Sequence, residues 1–242
     1  MSPTSVCCPI QSGALGYAAE ILESRGYQVS NIPASDSKHL LLPVPSFPDG
    51  YSYLTPLLDL LPKNVSVYGG FLTIPPLIRY NSVDFLSDPY YLAHNAAITA
   101  ECALELTETI LNQDISGHSI LILGWGRIGK CLGKLAQSQG ARVTIATRKH
   151  SDLAIIEALG YQATALDKLK PEEELVINTI PVMVLPHVPK NCHAIDLASK
   201  PGMAGENIVI ARGLPGKMQP EKSGKLIADT FIRLSQNQEV TP

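Results

Sequence analysis

No apolar run of about eighteen residues occurs in this sequence, so no segment is expected to span a membrane as a helix. The N-terminus has no basic stretch followed by an apolar one, and no secretory leader is expected there. Basic charge is not in excess either: 19 Lys and Arg stand against 22 Asp and Glu, which gives no reason to expect a nucleic-acid partner. The five cysteines (Cys7, Cys8, Cys102, Cys131, Cys192) form neither an even disulfide framework nor a metal-ligand spacing. They read as small buried thiols, and no metal is expected; the compartment that fits them is the reducing cytoplasm. What the chain does have is 45% hydrophobic residues against 17% charged over 242 positions, enough for a sizeable core in one large domain or two small ones.

The fold class expected is α/β: a Rossmann doubly wound parallel sheet with a smaller N-terminal α/β domain. Residues 1–90 read as the small unit, 91–113 as a linking helix, 114–219 as the dinucleotide-binding domain, and 220–242 as a C-terminal helix packing back at the junction. In the first unit, 5–10, 39–44 and 65–68 are apolar runs of strand length, and 14–25 has Leu15, Ala18, Ala19 and Leu22 at helical spacing, stopped by Gly26. Residues 91–111 contain no proline or glycine and read as one long helix. Beyond His118 strands and helices alternate: strand 119–123, helix 127–139, strand 142–146, a helix capped by Ser151 through Leu159, then apolar runs at 175–180, 193–198 and 208–211. The last helix is expected from Glu221 to about Leu234.

The chemistry-bearing motif is Gly124-Trp125-Gly126-Arg127-Ile128-Gly129. Alone, G-x-G-x-x-G is weak; here it follows an apolar strand and opens a helix, the setting the motif needs. Gly124 permits the tight turn, Gly126 leaves room for a pyrophosphate, and Gly129 lets helix and sheet approach. An NAD reader usually places an acid about 20 residues on, at the end of the second strand. Here that strand ends Thr147-Arg148-Lys149, and residues 124–150 contain no acid but six Lys or Arg. A guanidinium and a hydroxyl suit a 2′-phosphate, so NADP is the expected cofactor, with Arg148 its first contact, Thr147 beside it and Lys149 a looser charge. A solvated surface cluster is the plainer reading of these cations. The strand at 175–180 ends Asn178-Thr179-Ile180-Pro181, at the sheet edge where the nicotinamide side would lie; a turn that merely ends a strand is the alternative.

Several separated motifs together give a resemblance. They are Asn95-Ala96-Ala97-Ile98-Thr99-Ala100-Glu101, the glycine turn, Ile177-Asn178-Thr179-Ile180-Pro181, Asp196-Leu197-Ala198-Ser199-Lys200-Pro201-Gly202 and Gly213-Leu214-Pro215-Gly216-Lys217, followed by Pro220 and Ser223-Gly224-Lys225. In order and spacing, over residues 90–234, the chain resembles the A subunits of dipicolinate synthase. The resemblance implies a fold similar to formate and glycerate dehydrogenases and an NADP-dependent oxidation of a cyclic dicarboxylate to pyridine-2,6-dicarboxylate for sporulation. It also implies a partner, the flavoprotein B subunit; a homo-oligomer is compatible with it. It places Ala198, Ser199, Gly213, Leu214 and Pro215 on the cofactor side, and Asn95, Thr99, Glu101 and Lys200 near the reacting ring. The sequence departs from the family in its first 90 residues, where Pro9-Ile10-Gln11-Ser12-Gly13 stands in place of a Gly-Gly-Asp-like turn. Cys102 also replaces a usual glycine, and Lys200 a common arginine.

A dianionic ring wants cationic partners, and Lys200, Arg212 and Lys217 are the cations near strand ends or the Gly-Leu-Pro-Gly loop. Each also reads as an ordinary surface charge. Asn95 and Thr99, four apart, share a helix face, while Glu101, two further on, points elsewhere unless the helix is irregular there; a capping or core-bonding role is the alternative for each. His94 and Glu101 are the candidate general bases. Two other functions compete. A 2-hydroxyacid dehydrogenase needs an acid/base histidine beyond the nucleotide fold, and no histidine follows His193. A non-catalytic NADP-binding subunit or sensor would explain the altered N-terminal unit instead.

Overall fold

The computed structural model describes residues 4–47, 50–169 and 174–239. The chain divides into two units: Met1–Asn95 with Pro215–Pro242, and Ala96–Leu214.

In the first unit β1 (Ser5–Cys7) leads to α1 (Gly13–Ser24), then β2 (Gln28–Ser30), β3 (His39–Leu41), α2 (Leu54–Leu60), β4 (Ser66–Gly69) and β5 (Asn81–Asp84). All pairings are parallel, in the order β2-β1-β3-β4-β5. Pro9 limits the first apolar run, and β1 stops at Cys7 rather than running to Ile10. Helix α3 (Pro89–Leu111) starts on Asp88, whose carboxylate accepts from the Tyr91 N–H at 2.7 Å and pairs with Arg233. Arg233 belongs to α7 (Pro220–Glu239), which returns to pack on α1. Gly224 makes that packing close: a Cβ there would lie 2.5 Å from Ala14 O. On the buried side Phe231 meets the rings of Tyr68, His39 and Tyr27 edge-on at 4.9, 5.4 and 5.7 Å.

The second unit begins within α3 and continues through β6 (Ser119–Leu123), α4 (Arg127–Ser138), β7 (Arg142–Thr147), α5 (His150–Ala158) and β8 (Gln162–Ala165). It then adds β9 (Leu175–Asn178), β10 (His193–Asp196), β11 (Ile208–Ile210) and the start of α6 (Leu214–Met218). Its six strands are all parallel in the order β11-β10-β9-β6-β7-β8. Strand order reverses between β6 and β9, the switch point of a doubly wound sheet. These two central strands are buried on both faces, which is why they read as continuous apolar runs. The register aligns their ends: Leu123 pairs with Ala146 and Asn178, and Asn178 with Asp196. Residues 124, 147, 179 and 197 therefore emerge along one edge.

Three details differ from the sequence reading. Ser151 is not the cap of α5; the N-cap is Lys149, without a side-chain cap bond, and Ser151 lies inside the helix. Among the described residues no helix joins β9 to β10; the crossover is a loop held by a parallel bridge between Leu185 and Met203, whose side chains join Val188 and Cys192 in the core. Three of the four outer strands, β2, β5 and β8, are short and largely polar, so they carry no apolar run to signal them.

Candidate functional site: a glycine turn at the switch point

Strand β6 ends at Leu123 and the chain turns sharply at Gly124, whose φ of 109° lies where L side chains rarely go. A Cβ there would also stand 2.5 Å from Thr179 Oγ1, which donates to Leu123 O at 2.8 Å. Gly129 is just as constrained, since a Cβ would approach Gly124 O to 2.0 Å. Gly126 differs: its Cβ would meet nothing within 4 Å. It is the N-cap of α4 and offers no side chain to the first turn of N–H groups, which point outward at the positive end of the helix. Packed glycines on either side hold an open one in place. That is the shape a pyrophosphate needs.

This turn borders a cavity of about 300 Å³. Gly124, Trp125 and Gly126 form one side, Thr179, Ile180 and Pro181 the next, Thr147, Arg148 and Lys149 a third, with Leu166 completing it. Trp125 is braced edge-on by Tyr161 at 5.8 Å, with Lys130 Nζ 5.6 Å from its ring centre. Arg148 and Lys149 are exposed, whereas Thr147 is buried. Arg127 and Ile128 belong to the first turn of α4, exposed and half-buried in turn. The acid that the sequence reading missed is Asp152. It lies past the strand end, where a ribose-binding acid ordinarily sits, yet the first turn of α5 brings it to the same wall.

Asn178 is placed differently from the expectation. It is fully buried beneath the cavity, not on its wall. Its Nδ2 donates to Asp196 Oδ1 at 2.9 Å and to Ile180 O at 3.0 Å, while its Oδ1 accepts from the Ile180 N–H at 3.0 Å. Both ends of the amide are used within the protein. Asp196, also fully buried, accepts from Ala198 N–H at 3.0 Å and Gly202 N–H at 2.8 Å. A Cβ on Gly202 would reach 2.2 Å from Asn178 Nδ2. Together they fix the backbone of residues 196–202 and leave Ser199 and Lys200 exposed at the sheet edge. Arg212 Nε donates to Ala198 O at 3.0 Å, bringing the approach to Gly213 against the same segment. Gly213 is exposed with φ 67°, and Leu214 and Pro215 are buried. None of these residues lines the cavity itself.

On α3, Thr99 is buried, Asn95 and Glu101 are half-buried, and His94 is exposed with its ring 4.2 Å from that of Tyr90. Lys217 is exposed on α6. A larger cavity of about 620 Å³ lies where β10 and β11 begin, lined by Lys190, His193 and Glu206. It is at the wrong end of a parallel sheet for a nucleotide and has no glycine turn. Among the described residues no group of three His, Cys, Asp or Glu is placed to hold a metal, and no helix is long and apolar enough to cross a membrane.

Burial governs the thiols. Desolvation pushes Cys7 up to about 11; Cys8 rises to about 12, by burial first and then by the neighbouring Cys7 charge.

Residues 93–211, just under half of the chain, match the NAD binding domain of the D-isomer specific 2-hydroxyacid dehydrogenases. No curated protein matches the sequence. Among solved structures, the A subunit of dipicolinate synthase from Bacillus halodurans superposes over 100% of both chains with a TM-score of 0.84 at 20% identity. The fold is that of the dipicolinate synthase A subunit. Its counterpart in the synthase from Bacillus subtilis agrees, at TM-score 0.79 and 20% identity over 99% of this chain and 97% of that one. D-lactate dehydrogenase from Escherichia coli shares the architecture more loosely, with TM-score 0.59 and 11% identity over 98% of each chain.

Proposed function

We propose that this chain is the A subunit of a dipicolinate synthase, a cytoplasmic NADP-dependent oxidoreductase that converts a cyclic, partly reduced pyridine dicarboxylate to dipicolinate during sporulation. The observation that carries the reading is the glycine turn at the switch point, open at Gly126 and with Arg148 where an NAD reader has its acid. The substrate is argued from the motifs at 95–101, 196–202 and 213–217, which recur in the order and spacing of that family, on the same fold.

In this reading the N–H groups at the start of α4 bind the pyrophosphate, Arg148, Thr147 and Lys149 hold the 2′-phosphate, and Thr179, Ile180 and Pro181 border the nicotinamide. Asn178 acts from below, fixing the turn that carries them. Bound NADP⁺ supplies the acceptor for one hydride. The chain's own task is to orient the ring, bind its two carboxylates and take up the departing proton. Lys200, exposed beside the rigid 196–202 segment, is proposed to bind a carboxylate. Asn95 and Thr99 position the ring, and Glu101 accepts the proton. A flavoprotein B subunit is the proposed partner.

His193 argues against a 2-hydroxyacid dehydrogenase, because it starts β10, at the sheet end away from the glycine turn.

The test mixes the product of the lysine-pathway aldolase, which loses one water to give the ring that is oxidised, with NADP⁺ and the purified chain, with and without a B subunit, and follows pyridine dicarboxylate. Product is expected, and Lys200→Ala should raise KM for the ring while NADPH affinity stays within about twofold. If the wild type binds NADPH but makes no product with a B subunit present, the chain serves only to bind the cofactor and the catalytic proposal is wrong.

A further inference from the structure

The cavity beside the glycine turn carries a charge that the cationic reading leaves unused. Asp152 stands on the wall with Arg148 and Lys149, half-buried in the first turn of α5. An acid in a first helical turn ordinarily serves its helix, by opposing the positive dipole end or by capping an N–H. Asp152 is not the N-cap. Its Oδ2 lies 3.5 Å from Thr147 Oγ1, so the carboxylate leans back over the end of β7. The same hydroxyl accepts from the Lys149 N–H at 3.4 Å, which ties carboxylate, strand end and cationic pair into one cluster.

In a dinucleotide the adenosine ribose carries a hydroxyl at position 2′ in NAD and a phosphate in NADP. A carboxylate accepts from the hydroxyl and repels the phosphate; a guanidinium favours the phosphate. This wall holds both groups four positions apart, the guanidinium exposed, the carboxylate half-buried and held near Thr147.

We propose that Asp152 sets the dinucleotide selectivity of this site: its carboxylate binds the 2′-hydroxyl of NADH and opposes the 2′-phosphate of NADPH. The chain then accepts both cofactors, with the preference decided by the balance between Asp152 and Arg148. The inference rests on the dinucleotide reading of the cavity and adds the residue that reads the ribose.

Trp125 makes the test independent of turnover. It is the one tryptophan in the sequence and lines the cavity, so its emission should change when a dinucleotide binds. NADPH and NADH are titrated against wild type, Asp152→Asn, Asp152→Glu and Arg148→Ala. Both dinucleotides should bind the wild type. Asp152→Asn should tighten NADPH and weaken NADH, each by roughly 3–10-fold, the scale of one ordinary hydrogen bond, since the amide keeps an acceptor but not the charge. Asp152→Glu should stay near the wild-type ratio, and Arg148→Ala should weaken NADPH alone. The ratio of the two affinities is the deciding readout, because a partly misfolded sample scales both equally. An Asp152→Asn ratio equal to wild type, whether both affinities fall together or neither moves, overturns the inference and leaves the cofactor site standing. A wild type that binds neither dinucleotide overturns the cofactor site, and this inference with it.

Discussion

The two units solve one problem in opposite ways. Each is a parallel sheet, and each places glycines where a central strand ends. In the second unit the glycine that matters is the empty one, Gly126, with nothing within 4 Å of where its side chain would be. In the first unit Gly69 and Gly70 end β4 in a crowded turn. A Cβ on Gly69 would stand 2.4 Å from Ser46 Oγ, and on Gly70 2.7 Å from Val44 Cγ1. Ser46 locks that turn, accepting the Gly70 N–H at 2.9 Å and donating to Pro43 O at 2.7 Å. Glycine thus serves close packing in one unit and access in the other. A sequence shows the glycines but not the space around them.

The largest effects should come from breaking this distinction within the glycine turn itself. Gly129→Ala drives a methyl into the Gly124 carbonyl, a backbone group with no flexible side chain to yield. A loss of about 3 kcal/mol or more is expected, the upper end for overpacking, seen as a lower Tm and denaturant midpoint. Gly126→Val, three residues earlier, should leave stability within about 1 kcal/mol and abolish binding of either dinucleotide. Normal NADPH titration by Gly126→Val would mean that the open position receives no phosphate.

The cysteines extend the comparison to reactivity. Cys7 ends the first strand of the first unit and Cys8 follows it, both fully buried, whereas Cys131 on α4 is half-buried with Lys134 opposing the upward shift that burial causes. At pH 8 the thiolate fraction of Cys7 should be about a hundredfold below that of an unperturbed thiol, given its rise from 9.0 to about 11. Mass spectrometry after brief alkylation of the folded chain should therefore find Cys131 modified before either of them. Equal labelling of all three would contradict the burial argument. The same shifts bear on stability. The unfolded thiols ionise near pH 9 and the folded ones do not, so the folded state holds more protons above that pH. Their contribution is full below pH 9 and is lost as pH rises toward 11 and then 12.

Much of the second unit was legible because its signals are local. Strand β6, the turn and α4 carry their own pattern of apolar run, glycines and amphipathic helix, and the ends of β7 and β9 follow from the same alternation. What escaped depends on residues distant in sequence or just past a strand end. Asn178 was recognisable as the end of a strand, but its burial comes from the pairing of β9 with β10, which sets it against Asp196 eighteen positions away. Asp152 escaped because a ribose-binding acid is expected at the strand end itself, and here one helical turn carries it back to the cavity. The outer strands β2, β5 and β8 escaped because a half-solvated edge needs no apolar run, whereas β11, the fourth outer strand, carries one and was legible.

The smallest effect separates two left-handed residues, one in each unit. Phe71 has φ 61° and Asn112 has φ 53°, and neither is glycine. Asparagine tolerates this region because its short polar side chain bonds locally; phenylalanine has no such compensation, and the strain is about 1–2 kcal/mol. Phe71 is held there by its neighbours. The turn around Gly70 is fixed by Ser46, and the Leu72 N–H donates to Asp84 Oδ2 at 3.1 Å while Leu72 itself is buried. The Phe71 side chain is 65% exposed, so little apolar burial is lost on its removal. Phe71→Gly should relieve the strain, offset by the extra freedom of glycine in the unfolded chain, about 0.5–1 kcal/mol. A net gain of about 0.5–1 kcal/mol is expected, against no gain for Asn112→Gly, where there is little strain to relieve. Paired denaturant titrations would resolve the two. If Phe71→Gly proved destabilising, the ring would have to be stabilising its unit through contacts that its exposure does not suggest, and the turn at β4 would depend on its side chain as well as on its glycines.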